Sequence, residues 1–183
     1  MAATLAQGKP VIAYIPEIPD FKTFRQDTLD QIEQSYPNYP NQPVHKGLLK
    51  RLQRYYPEGA WENQEIRDWV EEKSKPDVDK LVNLLHEKVT VLYNKRADTL
   101  KNTHPLGLQV NLSTGVANGV LVVRSTQDCA WLLKSILLNE MKFDIEEDEK
   151  FTVLRERISK CIYRVATRDN FLVNAFWNFY LKT

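Results

Sequence analysis

Five apolar residues, Val11-Ile12-Ala13-Tyr14-Ile15, run without interruption between Pro10 and Pro16. A short apolar run bounded by turn formers reads as a strand buried on both faces, as in a parallel sheet covered by helices. Before it, Ala2-Ala3-Thr4-Leu5-Ala6-Gln7-Gly8 is a small helix-forming segment closed by a glycine just past its last turn. Helix, glycine and buried strand make half of an αβ unit. A parallel sheet cannot be built from one strand, so the partner strands must come from later in the chain or from another chain. The chain is expected to begin inside a helix whose first turns lie upstream of Met1.

The string Ala6-Gln7-Gly8-Lys9-Pro10-Val11-Ile12 resembles the helix end and following strand, with its G-K-P-V, of nucleoside deoxyribosyltransferase-like and TIR-like domains. Those domains have a flavodoxin-like fold and cleave N-glycosidic bonds. In that family a catalytic glutamate sits on the same helix, a few residues before the glycine. Ala2, Ala3 and Thr4 stand there in this chain, and the first acid is Glu17. The resemblance therefore implies the C-terminal part of such a domain, with the glutamate and the upstream strands missing and no competent glycosidase in this chain alone.

Residues 16–100 read as a helical insertion. It opens with prolines at 16, 19, 37, 40 and 43, surrounding one helix. Phe21, Phe24, Thr28, Leu29 and Ile32 fall at 3.6-residue spacing, with Asp20 set to cap them. Tyr36 to Pro43 reads as an extended loop. Residues 44–56 place Val44, Leu48, Leu49, Leu52 and Tyr55 on one helical face, with His45, Lys46, Lys50, Arg51 and Arg54 around it. Basic residues interleaved with tyrosines suit a nucleic-acid backbone. The next helix, near 61–73, is acidic, however (Glu62, Glu65, Asp68, Glu71, Glu72), and the two are expected to pair with each other. A third helix is expected to be capped by Asp77, with Val78, Leu81, Val82, Leu85, Val89 and Leu92 as its stripe. His86 lies off that stripe and reads as a surface or rim residue.

Three of the six glycines fall between 107 and 119, in Gly107-Leu108-Gln109-Val110-Asn111-Leu112-Ser113-Thr114-Gly115-Val116-Ala117-Asn118-Gly119. Ser113, Thr114, Gly115, Asn118 and Gly119 offer short polar side chains and free amides of the kind that hold a phosphate or ribose. Asn118-Gly119 is also a tight-turn dipeptide, so a plain hairpin between 108–112 and 120–123 is the competing reading. Val120-Leu121-Val122-Val123 is a second buried strand. Arg124, Ser125 and Thr126 follow it, where doubly wound sheets hold their ligands, and Ser125 or Thr126 caps the next helix. That helix is expected to turn Cys129, Leu132, Leu133, Ile136 and Leu137 inward. Strand, Arg-Ser-Thr and helix also resemble the last strand and helix of the family named above.

From Phe143 the pattern alternates. Phe143 and Ile145, Phe151 to Ile158, and Cys161 to Ala166 read as a three-stranded antiparallel meander. Arg155, Glu156, Arg157 and Arg164 are expected to project from it. Arg164, Thr167, Arg168 and Asp169 form a second candidate anion site. Phe171 to Leu181 is apolar or aromatic at nine of eleven positions and reads as a helix buried in its own domain or against a partner.

The fold class is therefore α/β: a partial flavodoxin-like parallel sheet with a helical insertion in 1–142, and a meander plus helix in 143–183 packed on the same core. With 25 Lys+Arg against 24 Asp+Glu, the net charge of +1 supplies no long-range field, which argues against nucleic acid and membrane surfaces. Two cysteines, Cys129 and Cys161, exclude a disulfide scaffold or a four-thiolate zinc site and suit a reduced, cytoplasmic compartment. No Cys/His cluster, Walker loop, dinucleotide glycine motif or nucleophile elbow occurs, so no metal or resident cofactor is expected. Two functions remain. One is binding of a nucleoside, nucleotide or NAD through 113–119 and 124–126. The other is a non-catalytic interaction module that uses the helical insertion and the aromatic C-terminus to bind a protein partner, as a homo-oligomer or with a completing chain.

Overall fold

A computed structural model of the chain describes residues 11–35, 44–102, 120–147 and 151–167, with side chains of the last stretch described at 153–162. Helices and strands are mixed, in two compact units, Met1–Pro16 with Lys95–Thr183 and Glu17–Asn94.

The second unit is helical. α1 (Phe21–Ser35) starts where Asp20 caps it: its Oδ1 accepts the Lys22 and Thr23 amides at 3.0 and 3.2 Å, and its Oδ2 accepts the Thr23 hydroxyl. α2 (Val44–Tyr55) buries Gly47, Leu48 and Leu52. The single acidic helix expected near 61–73 is instead two, α3 (Gly59–Glu62) and α4 (Gln64–Val70). Asn63 is the reason. Its backbone is extended, and its side chain accepts the Glu65 and Ile66 amides, so it ends one helix and caps the next. α5 (Val78–Asn102) is capped by Asp77. Its stripe of Leu81, Val82, Leu85 and Val89 packs with Ile32, Leu48, Leu52, Ile66 and Trp69 into one core. Among the described residues the expected pairing of basic and acidic segments is seen as Lys46 to Glu72 at 2.9 Å. Exposed ion pairs contribute about 0–1 kcal/mol, and a buried Leu about 1.5–3 kcal/mol, so the apolar stripe decides the packing.

The first unit holds five strands among the described residues, two of them paired in parallel. β1 (Val11–Tyr14) pairs with β2 (Val120–Val123) in parallel, Val11 beside Val120 and Tyr14 beside Val123. All four residues of β2 are buried. β1 is not buried on both faces as its apolar run suggested: Val11, Ile12 and Ala13 are half-buried and Tyr14 is 52% exposed. Among the described residues β1 has a neighbour on one side only, and an edge strand of so narrow a sheet is incompletely covered. α6 (Thr126–Leu137) follows β2 directly, and the last turns of α5, through Ala97 and Leu100, join the same core.

α6 buries Leu132, with Cys129 and Ile136 half-buried beside it. Leu133 and Leu137, expected to point inward, are 47% and 83% exposed. At 100° per residue they lie on one flank of the buried stripe, with exposed Trp131 and Leu138 on the other. Strands stand about 4.8 Å apart, so a two-stranded sheet covers the central stripe of a helix and not its flanks.

The meander is present: β3 (Phe143–Glu147), β4 (Phe151–Glu156) and β5 (Ile162–Thr167) form an antiparallel sheet in chain order. Arg155 grips Glu146 with two hydrogen bonds of 2.7 and 3.1 Å, and Arg157 meets Asp144 at 2.7 Å. Glu156 does not project as expected. It is 1% exposed, and its carboxylate accepts the amides of Ile158 and Ser159 in the turn after β4. A turn packed away from water needs acceptors for its N–H groups, and this side chain supplies them.

Two substitutions test these units. A methyl group at Gly59 would lie 2.6 Å from the Tyr56 ring and 2.9 Å from Ile66, so Gly59→Ala should lower stability by about 1–3 kcal/mol in urea unfolding; an unchanged midpoint would contradict that close packing. Glu156→Ala should lower the stability of the strand unit by about 1–3 kcal/mol, and Glu156→Gln by less, because its amide oxygen still accepts. Equal losses for both would contradict the capping role.

Candidate functional site

In a parallel pair both strands finish at the same edge. Here the ladder continues one residue beyond β1, where the Ile15 amide donates to the Val123 carbonyl at 3.0 Å. Tyr14 stands exposed at that edge, and Arg124, Ser125 and Thr126 follow from β2. Arg124 and Ser125 are half-buried; Thr126 is exposed.

Ser125 is the helix cap. Its backbone is extended (φ −130°, ψ 160°), its Oγ accepts the Asp128 amide at 3.0 Å, and its carbonyl accepts the Cys129 amide at 3.2 Å. The first-turn amides of α6 thus face the same edge as Arg124, an arrangement favourable to an anion. Of the residues singled out from the sequence, these three come together. Ser113, Thr114, Gly115, Asn118 and Gly119 lie outside the described residues, and with them the choice between ligand loop and hairpin. The side chains of Arg164 and Thr167, together with Arg168, Asp169 and Phe171 to Leu181, also fall outside. Tyr14 was read only as part of a buried run; its place as the last residue of β1 is the signal that assigns it to this edge.

The thiols serve the core. Cys129 packs against the β2 cluster. Cys161 is fully buried, and burial pushes its thiol above the ordinary range, so it stays protonated. Its Sγ accepts the Val122 amide at 3.0 Å, a contact invisible in sequence. His86, on the rim as expected, donates from Nε2 to the Pro19 carbonyl at 2.9 Å, its ring edge-on to Phe21 and tilted against Phe24. Among the described residues no group of three His, Cys, Asp or Glu side chains converges as a metal site, and no helix is long and apolar enough to cross a membrane.

Comparison with family models, curated proteins and solved structures returns no match to this chain. The likeness to deoxyribosyltransferase-like and TIR-like domains rests on the residues quoted above alone.

Ser125→Ala removes the side-chain acceptor of the Asp128 amide and should cost about 1 kcal/mol, whereas Ser125→Asp should retain most of the stability. Thermal unfolding of both variants checks this, and an alanine variant as stable as wild type would contradict the cap.

Proposed function

We propose that this chain is a nucleotide- or nucleoside-binding α/β domain of flavodoxin-like type, related to the N-glycosidic-bond-cleaving deoxyribosyltransferase-like and TIR-like domains. Its ligand sits at the carboxyl edge of β1 and β2. The observation that carries this reading is the parallel register, with Tyr14 beside Val123, which brings both strand ends and the start of α6 to one edge. Ligands of open α/β sheets bind beyond the carboxyl ends of their strands. In this reading Arg124 pairs with a phosphate, Thr126 and the first amides of α6 supply hydrogen bonds, and exposed Tyr14 offers a ring for a base or ribose. Ser113, Thr114, Gly115, Asn118 and Gly119, outside the described residues, are the remaining candidate ligand residues of this reading. The chain's role is binding: the positions that hold the family's glutamate are Ala2, Ala3 and Thr4, and bond cleavage of that type needs a carboxylate at the ribosyl carbon.

Thermal unfolding with nucleosides, nucleotides and NAD tests the reading. A ligand at about 100 times its dissociation constant adds roughly 2.7 kcal/mol, a rise of several degrees. The expected result is a rise for one class of ligand that Arg124→Ala abolishes. A rise that survives Arg124→Ala would contradict the assigned edge. A cooperative transition blind to every ligand would favour the alternative, a non-catalytic interaction module that uses the helical insertion and the aromatic C-terminus.

A further inference from the structure

A second site of different construction lies in the helical unit. After α4 the chain turns at Glu72, whose φ of 57° is in the left-handed region, and the amides of Lys73 and Ser74 donate back to the Asp68 carbonyl. This turn brings Lys73, Ser74 and Lys75 alongside His45, Lys46 and Lys50 of α2, around a groove of about 610 Å³. The volume is that of an ordinary small-molecule site. Leu49, buried Trp69, Val70 and buried Pro76 give the groove an apolar lining.

Four lysines and one histidine share the groove with one carboxylate, Glu72. Glu72 is held by Lys46 at 2.9 Å, and Lys73 is held by Glu71. Lys50 and Lys75 meet no carboxylate among the described residues. The crowding of like charge registers on His45. Burial first, then the Lys75 and Lys46 charges, hold its imidazole below the ordinary range, against the smaller opposing pull of Glu72. A chain with almost no net charge has gathered four lysines, two of them without a carboxylate among the described residues, around one concave, partly apolar surface.

We propose that this groove binds a small organic polyphosphate, with Lys50 and Lys75 on the phosphates, His45 and Lys46 at the rim, and half-buried Leu49 and Val70 under the organic body. A small molecule suits it better than a nucleic-acid strand, because the cations converge on one hollow and the buried Trp69 presents no free ring for successive bases to stack on. The site is independent of the β1–β2 edge, since every residue in it belongs to the helical unit.

The test is calorimetric titration of the whole chain with sodium tripolyphosphate and with ATP at low salt. In an Arg124→Ala background, which removes the phosphate partner proposed at the β1–β2 edge, one tripolyphosphate should bind per chain, and every comparison is made in that background. Lys50→Glu with Lys75→Glu should weaken it about tenfold or more. Lys22→Glu with Lys134→Glu, the same change of charge on exposed residues elsewhere, should weaken it less than about twofold. ATP should bind the Arg124→Ala chain more tightly than tripolyphosphate, through the apolar lining. Circular dichroism of both double variants should match wild type, the four lysines being exposed. No binding, binding that survives Lys50→Glu with Lys75→Glu, or equal loss in the two double variants would overturn the proposal. Tighter binding of a ten-nucleotide single strand than of ATP would overturn it in favour of a nucleic-acid face.

Discussion

A strand buried along its whole length must have its N–H groups satisfied on both sides, and in this protein that strand is β2. β1 takes one side with a parallel ladder. On the other, the Val122 amide finds the sulfur of Cys161, 39 residues later in the chain. An unpaired buried amide costs about 1–3 kcal/mol, comparable to the burial of a valine side chain, so the acceptor matters. Cys161 is itself set by the meander: its carbonyl accepts the Glu156 amide, and the Glu156 carboxylate holds the turn between them. The meander therefore finishes the parallel pair as well as following it in sequence. The candidate edge at Arg124 exists because β2 is fixed on both sides.

The helical unit depends on something different. Its caps at Asp20, Asn63 and Asp77 set where helices begin, and the apolar stripe of α5 sets what they pack on. Its ion pairs are exposed and contribute little. Lys50 and Lys75, which meet no carboxylate among the described residues, line a groove beside the paired Lys46 and Lys73.

Much of this was legible in the residues, for local reasons. Asp20, Asp77 and Ser125 were readable as caps because the side chain reaches amides two or three positions on. The two parallel strands follow from continuous apolar runs between turn formers, the α5 stripe and the meander from period, and Arg124, Ser125 and Thr126 from their place after β2. The departures are tertiary. The break at Asn63 was hidden because Trp61, Ile66, Trp69 and Val70 keep an apolar spacing across it. Leu133 and Leu137 satisfy an inward pattern that a two-stranded sheet is too narrow to cover. Glu156 alternates as an outward residue, yet is drawn in by amides of a turn that no pattern specifies. The cationic groove needed the left-handed turn at Glu72 to bring two separate lysine clusters together.

Amide hydrogen exchange resolved to single residues tests the central claim most directly, that β2 is held on one side by β1 and on the other by Cys161. The account predicts slow exchange at Val122 and at Ile15, whose amide extends the parallel ladder. Cys161→Ala should speed exchange at Val122 and leave Ile15 protected. A Val122 amide that exchanges as fast as an unpaired one in the wild type, or that stays protected without the sulfur, would contradict it.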